Sequence, residues 1–176
     1  MLKRSLALLC AVLGLTGCAG VSPEVYRAQT PVLDLKQYFN GPLTAWGYFA
    51  DRSGEVKRRF TVSMTGVWHG NEGTLTEDFV WSDGETSRRV WKITKHDAHR
   101  YTGRADDVKG EAVGIAYGNA LQWKYTLLLP VNGKTYEVQF DDWMYLIDDN
   151  VMLNKSEMRK FGIKLGEVVL SFRRGP

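Results

Sequence analysis

Cysteine is nearly absent from this sequence. The two that occur, Cys10 and Cys18, both lie near the N-terminus. The chain beyond them therefore has no thiol for a disulfide framework, a thiolate metal site or a cysteine nucleophile. An excess of one charge is missing too. There are 23 basic and 20 acidic residues, and setting aside Lys3 and Arg4 leaves 21 against 20. Basic residues come only in short groups such as Lys57-Arg58-Arg59, so binding to nucleic acid is not expected. No apolar run approaches the roughly 20 residues that a spanning helix needs. Gly-x-Ser-x-Gly, His-Glu-x-x-His, phosphate-loop and dinucleotide motifs are all missing. These absences leave enzymatic chemistry little to work with. No catalytic residue, cofactor or metal is expected.

Aromatic residues are plentiful: six Trp, eight Tyr and seven Phe. With 44% hydrophobic residues in 176, the chain can build one domain with a large core.

The N-terminus has a basic start, Lys3-Arg4, then about ten apolar residues from Leu6 to Leu15. That is the size of a secretory signal. Leu15-Thr16-Gly17-Cys18 resembles the bacterial lipobox. The resemblance implies cleavage after residue 17, diacylglycerol on the Cys18 sulfur, and acylation (palmitate or a similar chain) of its new amino group. Several buried acyl chains give stable membrane anchoring, at about 0.8 kcal/mol per methylene. Ala19 follows in place of Asp, which by enterobacterial sorting rules implies the outer membrane, facing the periplasm. Residues 1–17 are thus read as signal peptide. Residues 18–40 are read as lipidated Cys and tether, with a short helical turn over residues 33–39 ended by Asn40-Gly41-Pro42.

Residues 41–176 read as a single all-β domain. Runs rich in Val, Thr, Tyr, Phe and Trp recur at 43–50, 55–68, 74–82, 85–95, around Tyr101, and at 111–117, separated by Gly, Asn and Asp turns. Leu121, Trp123, Tyr125, Leu127 and Leu129 alternate along one run. Asn132-Gly133 turns it into a return strand carrying Tyr136, Val138 and Phe140. A last strand covers residues 168–172. Residues 154–161 are the other helical candidate. About eight to ten strands joined by short turns predict an antiparallel up-and-down β-barrel, because closure removes sheet edges. Charged residues alternate with apolar ones, so no lipid-facing band is expected.

The stretch from Asp141-Asp142-Trp143-Met144-Tyr145 to Gly166-Glu167-Val168 resembles the C-terminal signature of an uncharacterised bacterial lipoprotein family, domain of unknown function 3833. The likeness extends over most of the mature chain, including Phe39-Asn40-Gly41 and Trp46-Gly47. It implies a periplasm-facing lipoprotein and supplies no catalytic residues. Genes of the family often lie near fatty-acid-modifying enzymes, which points toward lipids. The barrel is lipocalin-like in architecture only, since Trp46-Gly47 reverses the order of the lipocalin Gly-x-Trp motif.

The expected role is binding or carrying a hydrophobic ligand such as a fatty acid or lipid. Trp46, Trp68, Trp91, Trp123, Tyr125 and Trp143 are the candidate lining. Arg58, Arg59, Arg88 and Arg89 are candidates for an anionic head group, with Arg58 and Arg88 favoured. One alternative is a filled barrel that docks another envelope protein. A weaker one is a lipid-acting enzyme using Asp141 or Asp142. A buried Asp there needs a partner such as Arg159 or Lys155. Asp148-Asp149-Asn150 reads as a turn. His96 and His99 sit in a polar loop without a third ligand, and His69 abuts a turn.

Overall fold

The computed structural model describes residues 20–175. The expected signal peptide, Cys18 and Ala19 lie outside the described residues. The domain is a closed antiparallel barrel of ten strands in up-and-down order. These are β1 (Gly41–Asp51), β2 (Val56–His69), β3 (Glu72–Trp81), β4 (Thr86–Lys95), β5 (Arg100–Arg104), β6 (Ala112–Tyr117), β7 (Ala120–Val131), β8 (Lys134–Leu146), β9 (Val151–Lys160) and β10 (Ile163–Arg174). β1 pairs with β10, so the sheet has no free edge. Each strand follows from period-two patterning. In β2, Phe60, Val62, Met64 and Gly66 are buried while Thr61, Ser63 and Thr65 face out. Asn132 and Phe161 both adopt positive φ before a glycine, the geometry that tight hairpins favour.

Residues 154–161 do not form the expected helix. Met152, Asn154, Ser156 and Met158 are buried, alternating with Leu153, Lys155, Glu157 and Arg159 at the surface or partly covered. Met, Lys, Glu and Arg are good helix formers, which gave the stretch a helical composition. Two of its four inward positions are polar, and that hid the strand alternation.

The lead-in is more than a tether. A 3-10 turn, Pro23–Tyr26, packs on the outer wall. The short helix α1, Leu35–Tyr38, plugs one end of the barrel. Asp34 caps α1 by accepting from the Lys36 amide at 2.9 Å and also meets Lys95 Nζ at 2.6 Å. Trp68 Nε1 donates to the Phe39 carbonyl at 3.1 Å, and Tyr38 OH to the Asn150 carbonyl at 3.0 Å. Gly66 is required beneath this plug, because a Cβ there would lie 1.7 Å from the Phe39 oxygen. Leu33, Leu35, Tyr38 and Phe39 join the main core. The opposite end, where the β1–β2, β3–β4, β7–β8 and β9–β10 turns gather, carries no such plug among the described residues.

Candidate functional site

Between the plug and the open end lies a cavity of about 510 Å³, within the size range of small-molecule sites. Its floor includes Leu35, Leu121 and Phe172. Phe60, Trp91, Trp123, Tyr125 and Phe140 form its walls, and Phe79 and Trp81 stand near the mouth. The aromatic rings brace one another. Trp91 meets Trp123 edge-on at 5.7 Å and Tyr125 at 5.5 Å, and Tyr125 stacks on Phe140 at 4.9 Å. Glycine makes room for the largest ring. A Cβ at Gly103 or Gly114 would come within 2.5 or 2.4 Å of the Trp123 indole.

The sequence-predicted lining residues divide into three groups. Trp91, Trp123, Tyr125 and Arg58 line the cavity. Trp68 belongs to the plugged end, where it covers Gly73 and binds Phe39. Trp46 and Trp143 do not reach the interior. Trp46 is 48% exposed on the outer face. Trp143 alternates with inward Asp142 and packs outside against Tyr26, at 6.0 Å, and Tyr145. One tryptophan per strand suggested an aromatic interior, but strand parity sends these two out.

Parity also corrects the arginines. Arg88 touches the cavity rim, yet its guanidinium turns outward and pairs with Asp78, Nε to Oδ1 at 2.6 Å. Arg89, its neighbour, points in. It donates from Nε and Nη2 to Asp107 Oδ2 at 2.9 and 2.5 Å. Asp107 sits between β5 and β6 on a loop that continues the wall, with the Leu128 amide donating to the Asp107 carbonyl at 2.7 Å. Arg58 stacks on Trp81 at 4.1 Å and pairs with Asp83 and Glu85 at 2.8 Å each. Exposed Arg59 takes no part.

Asp141 and Asp142 face opposite ways, so they cannot act as a carboxyl pair. Asp141 lies on the outer face, accepting from Gln122 Nε2 at 2.7 Å, with Lys124 Nζ at 3.8 Å. Asp142 is buried, at 7% exposure, and lines the cavity. The expected partners, Arg159 and Lys155, are not beside it, because both side chains point outward from β9. Ser156 and Asn154 are its inward neighbours, joined by a Ser156 Oγ to Asn154 Oδ1 bond at 3.1 Å. Asp142 Oδ1 has no hydrogen-bond partner among the described residues. Burial raises the Asp142 carboxyl to about 7, although Ser156 and Arg89 pull it down. Glu77, inward on β3 opposite Arg89, is likewise raised to about 7 by burial. Sequence reasoning passed over Glu77. Its only signal was parity: it falls between Leu75 and Phe79 on the inward face.

No metal cluster forms among the described residues. His99 stacks on Tyr117 at 4.0 Å and its Nδ1 lies 2.8 Å from the Ala116 carbonyl. His69 is exposed. Asp148 does make the expected turn, accepting from the Asn150 and Val151 amides at 2.8 Å.

Residues 12–174 match the family described as "Protein of unknown function (DUF3833)". The chain belongs to that family. No curated protein matches it. Among solved structures, a protein of unknown function from the DUF3598 family of Nostoc punctiforme is similar, with a TM-score of 0.58 at 11% identity. That match covers 84% of this chain and 51% of the other, so the chain spans about half the length of the Nostoc protein. The S-type phycobiliprotein lyase CPES of Guillardia theta gives a TM-score of 0.57 at 6% identity, covering 82% of this chain and 94% of that one. At these identities the likeness is one of fold.

Proposed function

We propose that this DUF3833 protein is an outer-membrane lipoprotein whose periplasmic barrel binds a lipid-like ligand, with the apolar part of that ligand held in the cavity. The observation that carries this reading is the cavity itself: about 510 Å³ of aromatic-walled space, floored by α1 and left unfilled by side chains. A barrel serving only as a docking module gains nothing from that space, because unfilled apolar volume costs stability. The leader and the lipobox pattern at Cys18 support the anchor. No described helix is long and apolar enough to cross a membrane. The chain enters the described structure beside the plugged end, where Tyr26 packs on Tyr145 at 5.4 Å. In this reading an anchor on Cys18 joins the barrel near its floor and the mouth faces away from the anchoring membrane. The ligand is then exchanged through the periplasm.

Nile red, an uncharged apolar dye, tests this on the full chain. Its fluorescence is expected to rise saturably, at about one dye per chain. Val168 lines the cavity from β10 and packs against both parts of the core, so Val168→Trp places an indole in the cavity. That variant should weaken dye binding by about tenfold or more while keeping the barrel's circular dichroism. Equal binding by the wild type and this variant would place the dye elsewhere and remove the support for an interior site.

A further inference from the structure

The charges around the cavity are unevenly matched. Each of the arginines suited to an anionic head group already has carboxylate partners within the chain: Arg58 has Asp83 and Glu85, Arg88 has Asp78, and Arg89 has Asp107. Arg58 Nε at the mouth also lacks a partner among the described residues, but its guanidinium is already matched by two carboxylates. Asp107 and Asp142 each keep Oδ1 open, so what the cavity leaves over is mainly acid. Asp142 is 93% buried, aimed into the cavity, and keeps Oδ1 without a partner. Glu77 faces the same space from β3 and makes no ion pair of its own among the described residues. The polar groups around Asp142 are Ser156, Asn154, whose amide nitrogen is taken by the Trp143 carbonyl, Tyr125 and Glu77, and the one cation facing it, Arg89, is already held by Asp107. A buried acceptor without a donor costs on the order of 1–3 kcal/mol. A carboxylate or phosphate placed there adds like charge and worsens that cost.

We propose that the ligand bears a hydrogen-bond-donating head group, an amine, amide or hydroxyl on an apolar chain, and that Asp142 receives it beside Ser156. This inference rests on the cavity being a ligand site. It narrows the ligand class away from free fatty acids, which the sequence alone had left open. Cationic heads gain most once Asp142 is ionised. The groups facing Asp142 are Tyr125 from β7, Asn154 and Ser156 from β9, and Arg89 and Glu77 across the cavity, with Asp107 held on Arg89. Asp141, next along β8, faces outward.

Competition against Nile red on the full chain decides the matter, using dodecylamine, dodecanol and dodecanoate as probes of equal chain length. Dodecylamine is expected to displace the dye at about tenfold lower concentration than dodecanoate, which is a difference of about 1.4 kcal/mol. The gap should widen between about pH 5.5 and pH 8.5, as the buried acids ionise. Dodecanol should bind with little pH dependence. In Asp142→Asn the amine preference should fall to within about twofold and lose most of its pH dependence, the remainder coming from Glu77. Dodecanoate binding as well as the amine, or a preference unchanged in Asp142→Asn, overturns the head-group assignment while leaving the cavity site intact. Failure of every probe to displace a dye that binds inside also overturns it. Failure of Nile red itself to bind removes the cavity reading and this inference together.

Discussion

Trp123→Ala will destabilise the barrel by about 3–5 kcal/mol, the usual cost of truncating a buried tryptophan. For a domain of this size that corresponds to a fall of roughly 6–20 °C in thermal midpoint, measurable by circular dichroism. The indole is 5% exposed. It lies over two glycines on neighbouring strands, Gly103 and Gly114, and meets Trp91 at 5.7 Å and 80°. Two missing Cβ atoms leave a trough that only a large flat ring fills, and no neighbour can collapse into it without moving backbone. Trp46→Ala supplies the contrast. Trp46 is 48% exposed on the outer wall, and its loss should change stability by no more than about 0.5 kcal/mol. Both residues read alike in the sequence. Similar costs for the two would mean that strand parity has been assigned wrongly.

Asp142→Asn will stabilise the protein near pH 8, by on the order of 2 kcal/mol, and will flatten its stability profile between about pH 4 and pH 7. The sign follows from proton uptake. The Asp142 carboxyl is raised by burial from 3.8 to about 7. Glu77 is raised from 4.5 to about 7 by the same cause. Between the unfolded and folded values the native state therefore holds more protons, and stability falls as pH rises through that window. Above about pH 7 both acids are ionised in either state and the full cost is present. Asparagine keeps the size and an acceptor without the charge. Glu77→Gln should act in the same direction. Exposed acids work in a separate window. The Ser53 hydroxyl and amide hold Asp51 at about 2, and Arg100 with nearby amides does the same for Asp97. Their contribution is present above the unfolded value and is lost only as pH falls toward 2. Urea unfolding of wild type and Asp142→Asn at about pH 5 and about pH 8 separates the two sets. Loss of stability in the variant at the higher pH would show Asp142 to be a net stabilising charge.

The barrel was legible because period two is hard to conceal where apolar residues alternate, as in β2 and β7. It failed in β9, where Asn154 and Ser156 stand at inward positions. Those two residues disguised the strand because they serve the polar part of the cavity. The lining was legible only in part. Composition supplied the aromatics, and position within each strand decided which of them face in. The pairing of Arg58 with Asp83 and Glu85, and of Arg89 with Asp107, arises between residues 18 to 27 positions apart, set by hairpin register and by how a loop folds back. No local pattern announces such pairs. The plug was read only as a helical turn. Its anchoring to Gly66, Trp68 and Asn150 depends on barrel closure, which brings distant segments to one end.

The central claim is that the interior houses a guest. Native mass spectrometry of the full protein, prepared gently from the cells that make it, tests it most directly. The expected spectrum shows the chain carrying one dissociable apolar molecule, whose head group contains a hydrogen-bond donor. Val168→Trp prepared the same way should arrive without it. A wild-type protein that emerges bare in every preparation, with the same mass as the filled variant after allowance for the substitution, would contradict the account.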